Sequence, residues 1–190
     1  MLLTSSYGIK LKGDFKALET SIELYRKALR ILIPIINDGW DLISECRYVN
    51  QKYNLIENWI HNTRTNHAQF DFDEQFPKFP TYLRRSAIAK ALGIVSSYRS
   101  NLANWEREGK GQTPKLSLTH FAYPAYYKGN LFRNFDPIRQ TIELKVFKNG
   151  DWVYDVYRLK TSDCTYYQTY LSGKKQNVPI IQKKGRRFYA

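Results

Sequence analysis

The chain has 190 residues, of which 43% are hydrophobic and 15% aromatic, and its formal net charge is +13. This composition excludes a chain that is disordered throughout, because it supplies enough apolar side chains for a folded core. Residues 1–79 carry ten basic and ten acidic residues, whereas residues 80–190 carry twenty and seven. The excess charge therefore lies in the second part, and a polyanion, first of all nucleic acid, is the expected partner.

Several function classes are disfavoured by what the sequence lacks. The two cysteines, Cys46 and Cys164, form no CxxC pair, and the three histidines have no partners at metal-ligand spacing. The Met1 end does not have the order of a signal peptide, and no run approaches the roughly 18 apolar residues of a membrane span. The common nucleotide-binding and hydrolase motifs are missing too. We therefore expect no catalytic residues, no metal or other cofactor, no membrane association and a cytoplasmic location.

The first part of the chain predicts one short strand followed by helices. Residues 7–12 alternate as a strand does, and Gly13-Asp14 supplies a turn and a helix N-cap. Apolar residues then recur every three or four positions over 15–36 and 40–60. This period predicts an antiparallel pair of helices, the first of them kinked or ended by Pro34. Residues 63–80 lose the period and predict a loop.

A third helix is predicted from Thr81 to the Gly109-Lys110-Gly111 run, and one of its faces is unusual. This face carries small and hydrogen-bonding groups: Ser86, Ala89, Lys90, Gly93, Ser97, Ser100, Asn101 and Asn104. A large partner can approach such a face closely, and either a nucleic-acid backbone or another helix fits it. The helix also begins with Arg84 and Arg85, beside N-terminal amides that attract phosphate. Arg99 lies further along the same helix.

From Pro114 onward the sequence predicts short strands. Residues that favour strands concentrate in 116–127, 130–135, 139–147, 152–159 and 178–182. Asn149-Gly150 is a hairpin signal, and a last hairpin is predicted around Gly185. With the strand at 7–12, these segments predict a small barrel or sandwich into which the helices are inserted after the first strand. The expected fold class is α+β.

Two basic clusters in this second part are candidate contacts for nucleic acid. The first, Tyr126-Tyr127-Lys128 with Lys115 before it and Arg133 after it, combines rings that can stack on bases with cations that can hold phosphates. An ordinary strand pair with solvated lysines is the alternative interpretation. The second cluster is denser, although hairpin turns commonly carry lysine, and it consists of Lys183, Lys184, Arg186 and Arg187.

The order of these features resembles the amino-terminal half of the TnpB (OrfB-type) proteins of insertion sequences and of their relatives, the compact type V CRISPR effectors. The residues that carry the resemblance are the helix from Tyr82 to Trp105, the link ending in Pro114-Lys115-Leu116, and the hairpin from Gln182 to Ala190. The resemblance covers nearly the whole chain. It implies a wedge domain over 1–13 and 114–190, which is an oligonucleotide-binding-like β-barrel, and an inserted helical recognition domain over 14–113.

The resemblance also implies partners and contact residues. Such proteins grip the scaffold of a guide RNA and read a short motif that flanks the DNA target, while guide pairing reads the target itself. By position, the residues expected near the flanking motif are Tyr82, Arg84, Arg85, Ser86, Thr119 and His120. The residues expected to face RNA include Tyr126, Tyr127, Lys128, Lys183, Lys184, Arg186 and Arg187. The other expected nucleic-acid contacts are Lys90, Ser97, Arg99, Asn101, Asn104, Lys115 and Arg133.

The chain departs from the TnpB pattern at its end. TnpB proteins continue into an RuvC-type nuclease domain with three acidic residues and into a four-cysteine zinc ribbon, whereas this sequence stops at Tyr189-Ala190. We therefore expect a cut fragment, a naturally shortened gene product, or one half of a split protein whose nuclease domain is a separate polypeptide. Its expected role is non-catalytic guide-RNA and DNA binding in a prokaryotic cytoplasm, at the nucleoid when DNA is bound. The alternative is a protein–protein interaction module with a basic but non-functional barrel surface.

Overall fold

A computed structural model describes residues 7–118, 122–173 and 178–190. The chain divides into two compact units: unit 1 comprises residues Met1–Ile22 and Tyr123–Ala190, and unit 2 comprises residues Glu23–Ala122. The fold class is α+β, because unit 1 contains antiparallel strands and unit 2 is helical. The domain limits given by the resemblance, 1–13 with 114–190 and 14–113, stay a prediction.

The helices begin in unit 1 and fill unit 2. Their bounds are α1 Lys16–Asp38, α2 Trp40–Glu45, α3 Val49–Ile60, α4 Phe72–Gln75 and α5 Thr81–Glu108. Helix α1 does not end at Pro34, because Ile35 and Ile36 beyond the proline are buried and this burial offsets the lost hydrogen bond. Helix α5 is capped by Gly109, which has the left-handed conformation (φ 63°) that a glycine cap adopts.

The core of unit 2 lies among α1, α3 and α5. Its apolar stripes follow the predicted period and include Leu29, Leu32, Ile56, Ile60, Ala87, Ile88 and Val95. The predicted loop also contributes to this core, because Phe72, Phe76 and Phe79 form an aromatic cluster with ring centroids 4.8–5.8 Å apart. These rings fix the segment in front of α5 and so position the start of that helix.

The strands and one further helix belong to unit 1. The bounds are β1 Leu11–Lys12, β2 Phe132–Asp136, β3 Thr141–Lys148, β4 Asp151–Leu159, β5 Gln182–Lys184 and β6 Arg187–Tyr189. Helix α6, Thr161–Tyr166, continues into a π-helical turn over Tyr167–Leu171, and the sequence predicted no element there. Strands β1-β4-β3-β2 form one antiparallel sheet in this order, and β5 pairs with β6 in a separate hairpin.

Two predicted strands are shorter or missing, and a proline lies in each. The described parts of 116–127 form no strand, because Pro124 lacks the N–H that a ladder needs and only Ala125 makes an isolated bridge, to Ile180. The strand predicted over 178–182 begins only at Gln182, after Pro179. The named strands therefore form an open sheet and a hairpin rather than a closed barrel.

The hairpin between β3 and β4 determines which side chains share a face of the sheet. Asn149 and Gly150 both have positive φ (53° and 82°), and Lys148 lies opposite Asp151. Ile142, Leu144 and Val146 are buried on one side. The side chains that alternate with them project to the other side, which we call the outer face. The outer face consists of Lys12, Arg133, Thr141, Glu143, Lys145, Phe147, Trp152, Tyr154, Val156 and Arg158.

Two further observations concern only the described ranges of the chain. Within 7–118, 122–173 and 178–190, no helix has both the length and the apolar character that a membrane crossing requires. The same ranges contain no group of three or more His, Cys, Asp or Glu side chains placed to hold a metal ion.

Candidate nucleic-acid interface

Four cations share the outer face of unit 1. Lys12 lies opposite Arg158 across β1 and β4, and both side chains are exposed. Within the described part of the chain neither has an acidic partner. Arg133 and Lys145 lie on the neighbouring strands of the same face. The charges of Lys12 and Arg158, which no described carboxylate neutralises, are therefore available to a polyanion.

Tyr154 lies at the centre of the outer face and is held by its neighbours. The guanidinium carbon of Arg133 lies 3.8 Å from the centroid of its ring, and Lys145 Nζ lies 5.4 Å from it. Its hydroxyl donates toward the carbonyl oxygens of Gly129 and Asn130, at 3.1 and 2.9 Å. The ring is therefore held in place with the Arg133 guanidinium stacked on it, and the pair combines a flat surface with positive charge, which suits contact with a nucleic acid.

A second pair of rings lies on the same face near the hairpin turn. Phe147 and Trp152 are directly opposite each other, and their rings meet edge to face with centroids 5.4 Å apart. Both side chains are half-buried. The outer face thus alternates rings and cations across neighbouring strands, as sheets that bind single-stranded nucleic acids do.

Glu143 is the one carboxylate in the outer face. Arg133 Nε lies 2.6 Å from Glu143 Oε2, and Asn134 Nδ2 donates to Oε1 at 2.7 Å. The hydrogen bonds from Asn134 and Arg133 hold the pKa of Glu143 below its usual range. This side chain therefore stays ionised at neutral pH and can act only as an acceptor.

The β5–β6 hairpin presents the second predicted cluster. Lys183 Nζ pairs with Glu19 Oε1 at 2.5 Å, so its charge is neutralised within unit 1. Lys184 Nζ lies 5.7 Å from the centroid of the Tyr189 ring. Arg186 and Arg187 are exposed at the turn, and among the described residues no carboxylate pairs with them. Arg186 and Arg187 are therefore the cations of this cluster that are most available to a phosphate.

The tyrosine-rich cluster before β2 does not form a stacking surface. Tyr126 is only 1% exposed, and its hydroxyl donates to the carbonyl oxygen of Lys145 at 3.1 Å. Burial, with a smaller contribution from the charge of Tyr157, raises the pKa of this hydroxyl. Tyr127 is half-buried and Lys128 is exposed. We therefore place Tyr126 in the core and leave it out of the interface, because a base cannot reach its ring.

In unit 2, the arginines at the start of α5 pair with carboxylates of the same unit. Arg84 is 4% exposed, with Nε 3.7 Å from Glu57 Oε1 and Nη1 3.8 Å from Asp73 Oδ1. Burial lowers the pKa of its guanidinium, and the two carboxylates oppose this change. Arg85 makes two hydrogen bonds to Glu57, at 3.3 and 3.2 Å. Arg84 is therefore unavailable to a phosphate, contrary to the expected role near a flanking motif.

The rest of α5 is divided between packing and an open surface. Arg99 Nη2 donates to the Asn37 carbonyl at 2.6 Å, and Ser86 is buried, with its carbonyl accepting from Tyr25 Oη at 3.4 Å. A Cβ added at Gly93 would meet no atom within 4 Å. The expected contacts that are exposed in unit 2 are Tyr82, Arg85, Lys90, Ser97, Asn101, Asn104 and Lys115. Thr119 and His120 lie outside the described residues.

Sequence reasoning missed most of the outer face. It did not single out Lys12, Lys145, Phe147, Trp152, Tyr154 and Arg158. The signal was present, because the Asn149-Gly150 turn fixes the register of β3 against β4. Projecting the alternation of both strands from that turn would have placed all of them except Lys12, which lies on β1, on one face.

The comparisons with known proteins identify a family. Residues 4–148 match the Aq_aa04 family. The chain belongs to the Aq_aa04 family. The match takes in all of unit 2 and ends with β3. One relative, named "Uncharacterized protein aq_aa04", comes from Aquifex aeolicus (strain VF5) and is 30% identical over 116 residues.

That alignment covers 52% of this chain and 62% of the relative, so the chain spans less than two thirds of the relative's length. No solved structure matches this chain. Neither the family description nor the relative's name states a ligand or an activity. The resemblance of this Aq_aa04-family chain to TnpB proteins therefore stays a prediction.

Proposed function

We propose that this chain binds RNA through the outer face of unit 1 and cuts no nucleic acid by itself. One observation carries the proposal: the outer face brings together four cations, three aromatic rings and a single carboxylate. Contacts to phosphates release counterions, and rings stack on unpaired bases, so this composition favours a single-stranded or looped RNA. Unit 1 as a whole carries sixteen basic and seven acidic residues, which attract the same partner.

We further propose that unit 1 is an interrupted oligonucleotide-binding-like barrel. Isolated bridges support this proposal, because they connect the open sheet and the hairpin into an incomplete ring. Lys10 bridges Tyr189, Ala125 bridges Ile180, and Lys128 bridges Phe132. Barrels of this class are partly open and bind oligonucleotides on a strand face, which is where the outer face lies.

In its most specific form, the proposal is that the RNA is the scaffold of a guide. Unit 1 and α5 would then be the non-catalytic part of a transposon-associated RNA-guided endonuclease, or of a nuclease-deficient regulator, in a prokaryotic cytoplasm. The exposed side of α5, with Lys90, Ser97, Asn101 and Asn104, is the proposed contact for target DNA. A separate nuclease-domain polypeptide is the proposed protein partner.

The test begins with the purified full chain. RNA that co-purifies would raise the ratio of absorbance at 260 nm to that at 280 nm, and its sequencing would identify a guide. The double variant Lys12→Gln/Arg158→Gln is expected to reduce the slope of log affinity against log salt by about 1.4 for a single-stranded RNA, because two phosphate contacts are lost.

A matched double variant controls for net charge. Lys148→Gln/Lys160→Gln removes two cations that already pair with Asp155 and Asp163, at 3.0 and 3.1 Å. This control is expected to leave the salt slope nearly unchanged. A chain that purifies without RNA and binds none at about 50 mM salt would contradict the proposed function.

A second candidate function is a protein–protein interaction module. It is favoured by apolar side chains that unit 2 exposes around α2 and α3: Leu42, Tyr48 and Val49 are 56%, 58% and 59% exposed. Purified protein free of RNA, whose binding to a protein partner is lost in a Leu42→Asp/Val49→Asp variant, would favour this module over RNA binding.

A further inference from the structure

A groove of about 450 Å³ adjoins the outer face, where β2, β3 and β4 meet. Its lining includes Asn134, Phe135, Asp136, Arg139, Glu143 and Val156. Volumes of this order accept small molecules or single bases. The groove holds two carboxylates and one guanidinium, whereas unit 1 as a whole carries more than twice as many basic as acidic residues. Arg133 and Arg139 pair with these two carboxylates, at 2.6 and 3.7 Å, so the groove is less basic than the rest of unit 1 and offers hydrogen-bond acceptors rather than unpaired cations.

A bulge in β2 builds the polar side of the groove. The register against β3 shifts between Arg133 and Asp136, and Asn134 within the bulge has a positive φ of 49°. Bulges of this kind redirect side chains, and asparagine tolerates this conformation better than most residues. Here the Asn134 amide donates to Glu143 Oε1 at 2.7 Å. Arg133 and Asn134 thus hold the Glu143 carboxylate from one side each.

The carboxylate of Glu143 retains acceptor capacity. Each of its oxygens receives one of these hydrogen bonds, and a carboxylate offers about four lone-pair positions in all. An ionised, oriented carboxylate prefers a ligand edge that carries two adjacent N–H donors, because both of its oxygens can then accept.

The remaining walls of the groove favour a flat, apolar group. Val156 is 60% exposed although it lies in the middle of β4. The half-buried ring of Phe135 is held edge to face against Tyr167, with centroids 5.1 Å apart. An apolar side chain exposed beside an anchored ring offers contact area to the face of a base.

We propose that this groove receives an unpaired guanine of the bound RNA, whose N1–H and N2 amino group donate to the Glu143 carboxylate. The inference rests on the proposed RNA-binding function and adds a base preference to it. Guanine is the one common base whose pairing edge has two adjacent donors. Adenine and cytosine place one amino group beside an acceptor, and uracil places one imino group between two acceptors.

The experiment uses the full chain and labelled single-stranded RNAs of about eight nucleotides. One is all uridine, and the others carry a single central guanosine, adenosine or inosine. The expected result is that guanosine raises affinity about tenfold over adenosine, because a good bidentate contact discriminates by factors of this order. Inosine, which lacks the N2 amino group, is expected to fall between the two. Glu143→Gln is expected to bring the ratio of guanosine to adenosine affinity below about twofold.

Asp155→Asn is the matched control, because Asp155 on β4 is likewise a carboxylate paired with a cation, Lys148 on β3, and does not line the groove. This variant is expected to keep the wild-type ratio. Equal affinity for guanosine and adenosine, or a preference that survives Glu143→Gln, would overturn the guanine proposal while the RNA-binding function stands. Failure to bind any of these RNAs at about 50 mM salt would contradict the proposed function itself, and the base preference with it.

Discussion

The two units use their cations in different ways. In unit 2, Arg84 and Arg85 at the start of α5 are neutralised by Glu57 and Asp73. In unit 1, Lys12 and Arg158 lie side by side on the outer face, where no described carboxylate pairs with them. Unit 2 carries fourteen basic and ten acidic residues, and unit 1 carries sixteen and seven. A cluster of arginines in a sequence therefore predicts an anionic partner only once it is known which of those arginines pair with carboxylates of the same unit.

The largest effect is expected from removing the buried cation of unit 2. Arg84→Met leaves Glu57 and Asp73 without their shared guanidinium, and such a loss lowers the free energy of unfolding by about 3 kcal/mol. Urea unfolding followed by circular dichroism measures it. Arg107→Met is the control, because that side chain is 73% exposed and its pair is worth less than about 1 kcal/mol. Equal effects of the two variants would mean that the buried cluster is not structural.

A smaller effect is expected on RNA affinity when the central ring of the outer face is removed. Tyr154→Leu keeps most of the packing volume and loses the stacking surface, which is worth about 1–3 kcal/mol per base. Titration of a labelled single-stranded RNA would then give a Kd raised about 5- to 150-fold. Tyr166→Leu is the control, because Tyr166 is an exposed tyrosine of α6 that is not one of the outer-face residues. An unchanged Kd for the Tyr154 variant would separate this ring from RNA binding.

Tyr126 distinguishes a core role from a contact role. Tyr126→Phe removes the buried hydrogen bond to the Lys145 carbonyl and is expected to cost about 1 kcal/mol of stability. RNA affinity is expected to stay the same, because the ring is inaccessible. Thermal unfolding and RNA titration of the same sample measure both quantities. A loss of affinity with unchanged stability would return Tyr126 to the interface.

The smallest effect concerns the dependence of unit 1 stability on pH. Burial tends to raise the pKa of Asp163, but hydrogen bonds from the Lys10 N–H, Lys160 and Ser162 outweigh it and hold that pKa below its usual range. A carboxylate with a lowered folded-state pKa stabilises the fold above its unfolded-state pKa of about 3.9 and loses that contribution as the pH falls through the folded-state value.

Asp163→Asn is therefore expected to be less stable than the wild type at pH 7, by less than about 1 kcal/mol, since the pair is partly exposed. The difference should shrink as the pH falls below about 4. Urea unfolding across this range measures it. Glu108→Gln, at a carboxylate that is 60% exposed, is expected to cause no measurable change at any pH. A stability difference between Asp163→Asn and the wild type that stays constant with pH would contradict the link between the pKa of Asp163 and stability.

Local signals predicted those parts of the fold that depend on neighbours in the sequence. Helix α5 begins at Thr81 and ends before Gly109 as its period and cap indicate, and β3 and β4 meet at the Asn149-Gly150 turn. The failures depend on tertiary partners. Strand composition in the described parts of 116–127 was overridden by Pro124, and α6 consists of residues with low intrinsic helix propensity.

The residues of the candidate site also fall into those that local sequence signals predict and those that depend on tertiary packing. The exposed hairpin arginines were predicted from a local run of charge. The burial of Arg84 could not be predicted, because Glu57 and Asp73 reach it from α3 and α4 and the sequence does not reveal that packing. The part of the outer face on β3 and β4 was within reach of sequence reasoning, since strand alternation and one turn suffice to assign it. Lys12 and Arg133 were not, because β1 pairs with β4 over a long range and β2 carries a bulge.

The two-residue turn at Asn149-Gly150 also decides what this unit presents to water. A slip of β3 by one position against β4 would bring Ile142, Leu144 and Val146 outward and turn Glu143 and Lys145 toward the core. The proposed RNA-binding face would then be replaced by an exposed apolar sheet prone to self-association. Insertions at this turn should therefore be selected against more strongly than substitutions of the cations themselves. A protein whose turn is one residue longer should aggregate while it still contains its strands.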